Sequence, residues 1–206
     1  MKRELEEALL AVDFDLDSEK LKLSLEYLQL IADWNKTRNL VSRKASPHDL
    51  VEHLVDCFLI NERLDHKPVA DFGTGAGLPG ICIAIYDKDK ELLLVDPNKK
   101  KTSFLIHVKS KLGLNNLSVL TERMENIEPR HLEQYKNIVL RALMPPKDFL
   151  KQMAGKLSSG TKIIFMVAED KDYDLEIEWN TKYHRSKFEK RYDKKRGFLE
   201  IIIDQS

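Results

Sequence analysis

The chain has 206 residues, enough for one domain of about 150 residues with some way to spare, and it is 42% apolar, 8% aromatic and 33% charged, the composition of a soluble globular protein. Lys+Arg and Asp+Glu are both 34, so the formal net charge is zero and no global field draws the protein to nucleic acid. The apolar run Ile163–Ala168 falls far short of the roughly 18 residues needed to cross a bilayer, so no membrane association is expected. The charged opening, Met1 to Glu7, lacks the apolar core of a signal peptide, and the two cysteines, Cys57 and Cys82, both lie in apolar runs. Both features suit a cytoplasmic protein with reduced, buried thiols.

Along the chain, Leu21, Leu25, Leu28, Ile31 and Trp34 recur at spacings of 4, 3, 3 and 3, which predicts an amphipathic helix with Ser18 as its N-cap. Ser46-Pro47-His48-Asp49 predicts the next helix: Ser46 caps, Pro47 takes the first position, and Asp49 closes a capping box. Its apolar stripe is Leu50, Leu54 and Phe58 with Val51, Val55 and Leu59. Residues 1–66 therefore read as an N-terminal helical extension. After Lys67 the period changes. Strands are expected at 68–72, 91–96, 117–121, 137–141 and 161–168, with helices over 81–86, from Asn98 to Gly113, and around Phe149 to Leu157. Two further strands, 183–192 and 198–204, read as a hairpin turning near Lys194-Lys195-Arg196-Gly197. The alternation predicts an α/β fold over 67–206: a doubly wound, mostly parallel, Rossmann-like sheet with an antiparallel C-terminal hairpin.

Four of the eight glycines lie in Asp71-Phe-Gly73-Thr-Gly75-Ala-Gly77-Leu-Pro-Gly80, between a predicted strand and a predicted helix. Glycines there let a ligand approach the backbone, and the helix start aims amides at it. Gly75-x-Gly77-x-x-Gly80 matches the dinucleotide fingerprint, and Asp96 follows Gly75 by 21 residues, the distance of a ribose-binding acid. Asp71 points to a different ligand: a carboxylate before the first glycine repels a pyrophosphate and favours a cation such as the α-ammonium of S-adenosylmethionine. The pattern is that of class I methyltransferases, with a nicotinamide or flavin enzyme as the rival reading. Charge is also locally uneven. Six acids crowd Glu169 to Glu178, and eight cations lie between Lys182 and Arg196; a smaller cluster is Lys99-Lys100-Lys101. Such clusters are either solvated faces or phosphate-contacting surfaces.

Beyond the glycine turn, the chain resembles the ribosomal RNA small subunit methyltransferase G family, also called glucose-inhibited division protein B, over about residues 20 to 168. The resemblance rests on Trp34-Asn35-Lys-x-x-Asn39-Leu40, His53-x-x-Asp56, the run Asp71 to Gly80, Lys99 to Leu105, Arg123-x-Glu125 and Arg141-Ala142. It implies transfer of a methyl group from S-adenosylmethionine to N7 of one guanine in small-subunit (16S) ribosomal RNA, free or in the 30S particle, by a monomer that needs no metal. It implies cofactor contacts from Asp71, Gly73, Gly75, Gly77, Leu78, Asp96, Met124, Glu125 and Arg141, and a catalytic role for Arg141 and Asn39. Lys99, Lys100, Lys101, Lys194, Lys195 and Arg196 are the candidate RNA contacts. The chain departs from the family at Leu140, where Ser is usual, at Leu143, where Phe is usual, at Cys57 for Ser, at Pro97, and in lacking Lys-Gly near Ala168. The alternatives are a class I methyltransferase for a small molecule or protein, and a non-catalytic RNA-binding protein of the same fold.

Overall fold

The computed structural model describes residues 1–37, 40–42, 45–168, 173, 175 and 180–204. Short apolar runs become five strands, β1 (Val69–Phe72), β2 (Leu92–Val95), β3 (Leu117–Leu120), β4 (Asn137–Arg141) and β5 (Lys162–Val167), joined by the polar β6 (Asn180–Arg185) and by β7 (Gly197–Ile202). They form one sheet in the order β3-β2-β1-β4-β5-β7-β6. The pairs among β1 to β5 are parallel, whereas β7 runs antiparallel to both β5 and β6. The strand order reverses between β1 and β4, and open α/β sheets bind ligands beyond the carboxyl ends of the strands at such a point.

Successive strand residues face opposite sides. Val69, Leu94, Val139 and Ile164 pack against the helices α1 (Lys2–Ala11), α2 (Ser18–Asn35), α3 (Pro47–Phe58), α4 (Gly80–Tyr86) and α5 (Lys99–Leu112). Ala70, Val95, Ile138 and Ile163 form the other core, with α6 (Pro146–Met153). The first three helices thus share one core with the sheet.

Local chemistry explains most boundaries. Ser46 and Asp49 form the expected capping box, with Ser46 N–H donating to Asp49 at 2.8 Å and Asp49 N–H to Ser46 Oγ at 3.2 Å. Asn98 caps α5, and Gly113 ends it in the left-handed region. Ser18 is the first helical residue of α2 rather than its cap. Asp17 caps instead, because its extended backbone lets the carboxylate accept from Lys20 N at 2.8 Å. The strand expected at 183–192 stops at Arg185. Phe188 and Tyr192 lie four apart, a turn's spacing rather than a strand's, and their rings stack at 4.6 Å inside the core. A 3-10 turn over Lys187–Lys190 results, so a long loop rather than a tight turn joins β6 to β7. Both cysteines are free and buried.

Candidate functional site

The glycine turn leaves the carboxyl end of β1, and Asp71 laces it together. The Asp71 side chain is fully buried, and its Oδ2 accepts from Thr74 Oγ1 at 2.7 Å and from Gly80 N–H at 2.8 Å. Its Oδ1 is buried with no hydrogen-bond partner among the described residues. Burial pushes this carboxyl up to about 7, against the pull of the Thr74 and Gly80 hydrogen bonds and the Arg141 charge. A buried carboxylate with one oxygen unused suits a cationic partner.

The next contact joins β1 to β2. Asp96, just past β2, is buried; its Oδ2 accepts from Gly75 N–H at 3.1 Å and its Oδ1 from Asn98 N–H at 2.9 Å. Gly75 has a φ of +63°, and a Cβ there would meet nothing nearer than the Gly73 carbonyl at 3.8 Å. The turn therefore holds open a place beside the Asp96 carboxylate that a side chain would fill. Gly77 is different: a Cβ there would lie 2.4 Å from Ile81 Cγ1 and 2.9 Å from Leu105 Cδ2. Glycine at 75 leaves room for a ligand, and glycine at 77 leaves room for the fold. Tyr27, fully buried on α2, donates from its hydroxyl to Ala76 O at 2.7 Å, which ties α2 to the turn.

Beyond β3, Met124 is buried and Glu125 exposed in a 3-10 turn. They share a cavity of about 320 Å³ with Phe72, Gly73, Val95 and Leu143. Leu143 lies against Gly73, so a Cβ there would meet its Cδ1 at 2.5 Å. Leu78, within the turn, is buried.

Arg141 ends β4 on the same sheet face as Asp71. Its Nη2 lies 2.9 Å from His53 Nδ1 and its Nε 3.4 Å from Asp56 Oδ2. Burial and the Arg141 charge push the His53 imidazole down, so a neutral ring accepts from the guanidinium. The His53-x-x-Asp56 pair and Arg141, 85 and 88 positions away, thus meet at one place. Asn39 lies outside the described residues, as does most of the acidic stretch Glu169 to Glu178.

The candidate RNA contacts divide. Lys99 and Lys100 are exposed at the start of α5, whereas Lys101 Nζ lies 3.4 Å from Asp96. Lys195 is exposed, but Lys194 holds the buried Glu52 carboxylate at 2.5 and 2.7 Å. Arg196 Nε lies 3.9 Å from Asp56. Lys194 and Arg196 therefore compensate buried acids of α3 instead of standing free as the sequence suggests. Glu52 and Tyr27 escaped the sequence reading. Their only signal was position: Tyr27 stands one residue before Leu28 on the buried face of α2, and Glu52 one turn before Asp56 on α3.

A model of the family described as rRNA small subunit methyltransferase G matches residues 20–199. The chain belongs to this family. A ribosomal RNA small subunit methyltransferase G of Nitrosococcus oceani is 40% identical over 72% of this chain and 68% of its own length. The protein of the same name from Francisella philomiragia is 33% identical over 82% of this chain and 81% of its own length. The fold is shared more widely. An O-methyltransferase of Bacillus cereus, solved with S-adenosylhomocysteine, superposes with a TM-score of 0.58 at 13% identity, covering 87% of this chain and 91% of that one. A SAM-dependent methyltransferase of Aquifex aeolicus reaches 0.55 at 14% identity over 74% of this chain and 92% of that one. The family match spans the glycine turn, Asp96, Arg141 and the α3 acids, and leaves out α1.

Proposed function

We propose that the protein transfers a methyl group from S-adenosylmethionine to N7 of one guanine in small-subunit (16S) ribosomal RNA, presented free or in the 30S particle. The observation that carries this reading is the convergence of Asp71, the open turn at Gly75, Asp96 and Arg141 where the strand order reverses. These residues fit the cofactor. Asp71 has an unused buried carboxylate oxygen for an ammonium. Asp96 presents a carboxylate beside the open turn for ribose hydroxyls, and Met124 and Leu143 give the cavity apolar walls for a base. The bound cofactor supplies an activated methyl group on sulfonium sulfur.

Guanine N7 carries an in-plane lone pair and no hydrogen, so no residue has to remove a proton before attack. The protein's task is alignment and electrostatics. Arg141, held by neutral His53 and Asp56, supplies fixed N–H donors at the carboxyl end of β4, beside the turn, for aligning the substrate. N7 lies in the deep, narrow major groove of A-form RNA, so the target guanine stands in a loop or leaves its stack. Of the candidate RNA contacts, Lys99, Lys100 and Lys195 are exposed and free to reach backbone phosphates. The protein acts as a cytoplasmic monomer.

Incubating purified protein with the cofactor and with either 16S ribosomal RNA or 30S particles, then digesting to nucleosides, tests the reading. Formation of one 7-methylguanosine per RNA molecule supports it. Methyl transfer to another base, or none to either RNA, overturns it.

A further inference from the structure

The acids of α3 face the cations of the loop before β7 in a fixed pairing. Glu52 and Asp56, one helical turn apart, are both buried, and they meet Lys194 and Arg196. Lys194 closes on Glu52 with two contacts. Asp56 has a harder task. One of its two oxygens, Oδ2, faces both the Arg141 Nε at 3.4 Å and the Arg196 Nε at 3.9 Å.

Arg196 is not a loose surface cation. Its guanidinium lies over the Phe188 ring at 5.8 Å, and its carbonyl accepts from Ser186 N–H at 2.9 Å. Phe188 is fully buried and stacked on Tyr192. The loop is thus anchored in the core on both sides of the arginine, and only 28% of the Arg196 side chain is exposed. An RNA-contacting residue needs its head group in water, and this one is turned inward to a buried acid.

We propose that Arg196 is a positioning residue for Arg141: by sharing the Asp56 carboxylate it holds the anion that holds the guanidinium at the site. This rests on the role given to Arg141 above. Three charged groups bear on Asp56: Arg141 from β4, Arg196 from the loop, and Glu52 from its own helix. His53, on α3 beside Arg141, is neutral. Asp71, Cys57 and Cys82 also bear on Arg141, and burial keeps Cys82 protonated. Burial pushes the Asp56 carboxyl up, Arg141 and then Arg196 pull it down, and Glu52 pushes it up again. Removing Arg196 leaves one cation against burial and Glu52. Asp56 then protonates at a higher pH, and Arg141 loses this anionic anchor while keeping its contact with the neutral His53 ring. The sign is fixed: a carboxylate losing a neighbouring cation is protonated earlier as pH falls, so the acid limb of activity moves up. A cation within about 4–6 Å lowers a carboxyl by roughly 1–3 units, and the longer, partly exposed contact of Arg196 belongs at the lower end.

The experiment compares the full chain with Arg196→Gln and Arg196→Lys. It follows kcat against pH on small-subunit ribosomal RNA, the Asp56 carboxyl carbon by NMR, and RNA affinity against salt. The expected result is an acid limb raised by about one pH unit in Arg196→Gln, with the Asp56 titration moving equally. Below that limb kcat falls about tenfold, Arg196→Lys restores most of the loss, and the salt slope of RNA binding is unchanged. Three results overturn the proposal: a rate lowered equally at every pH, an Asp56 titration that does not move, or a flattened salt slope with the limb in place, which makes Arg196 a phosphate contact. If the parent chain transfers no methyl group to RNA, the proposed function fails by itself, and the Asp56 titration still decides this proposal. If Arg196→Gln does not fold, Arg196→Ala in the presence of cofactor replaces it in the titration.

Discussion

Replacing Gly75 with valine separates a ligand-binding turn from a merely tight one. The φ of +63° costs a β-branched residue about 1–2 kcal/mol, and at roughly 2–4 °C per kcal/mol for a chain of this size the melting temperature falls by about 2–8 °C. No neighbour adds to that, since the nearest atom to a Cβ is 3.8 Å away. The added carbons occupy the open space beside Asp96, so cofactor affinity is expected to fall at least a hundredfold, about 2.7 kcal/mol. Gly77→Val provides the contrast. Its Cβ would strike Ile81 Cγ1 at 2.4 Å and Leu105 Cδ2 at 2.9 Å, so it loses the fold along with the ligand. Calorimetry with S-adenosylmethionine and thermal melts of both variants give the four numbers needed. A Gly75→Val protein that is folded and binds as tightly as the parent removes the turn from the site and refutes the reasoning.

Arg141→Ala is expected to lower single-turnover methyl transfer at least tenfold, about 1.4 kcal/mol; an unchanged rate would reduce Arg141 to an ion-pair partner of Asp56. Because burial raises Asp71 to about 7 in the fold, the native state holds a proton that the unfolded chain releases near 4. Stability is therefore expected to fall as pH rises from about 4 to about 7, and Asp71→Asn to flatten that dependence in thermal melts; a parent protein flat over the same window contradicts the assignment. Lys194→Ala strands the buried Glu52 and is expected to lower the melting temperature, with Glu52→Gln in the same chain recovering most of the loss; additive losses would mean that the two do not interact. Changing Lys99, Lys100 and Lys195 together to Gln is expected to flatten the slope of log RNA affinity against log salt by about 2, and an unchanged slope places the phosphate contacts elsewhere.

The parts of the fold legible in the sequence are those where residue type dictates backbone. The glycine run, the Ser46–Asp49 box, the Asn98 and Gly113 ends of α5 and the apolar runs of β1 to β5 each carry a local physical reason. The misread places involve competition. Ser18 and Asp17 are both good caps, and only the carboxylate reaches Lys20 N–H. Tyr183 to Tyr192 reads as a strand in the sequence, but Phe188 and Tyr192 stack in the core instead. α1 buries Leu5, Ala8 and Leu9 at helical spacing and was legible in principle, although no helix was assigned there. For the site, Asp71, Gly75, Asp96 and Arg141 were visible as types at spacings. What no spacing could show was the pairing of Glu52 with Lys194, 142 positions away, or the use of Asp56 by two arginines. Clustered cations look alike in a sequence whether they face phosphates or buried acids.

The central claim is that this chain methylates N7 of a guanine in small-subunit ribosomal RNA, and nucleoside mass spectrometry tests it most directly. Ribosomal RNA is compared from cells with the gene intact, with it deleted, and with the deletion complemented by the parent chain or by Gly75→Val. One 7-methylguanosine in the 16S molecule is expected with the parent chain, absent in the deletion and in the Gly75→Val strain. An identical set of modified nucleosides in all four samples would contradict the account.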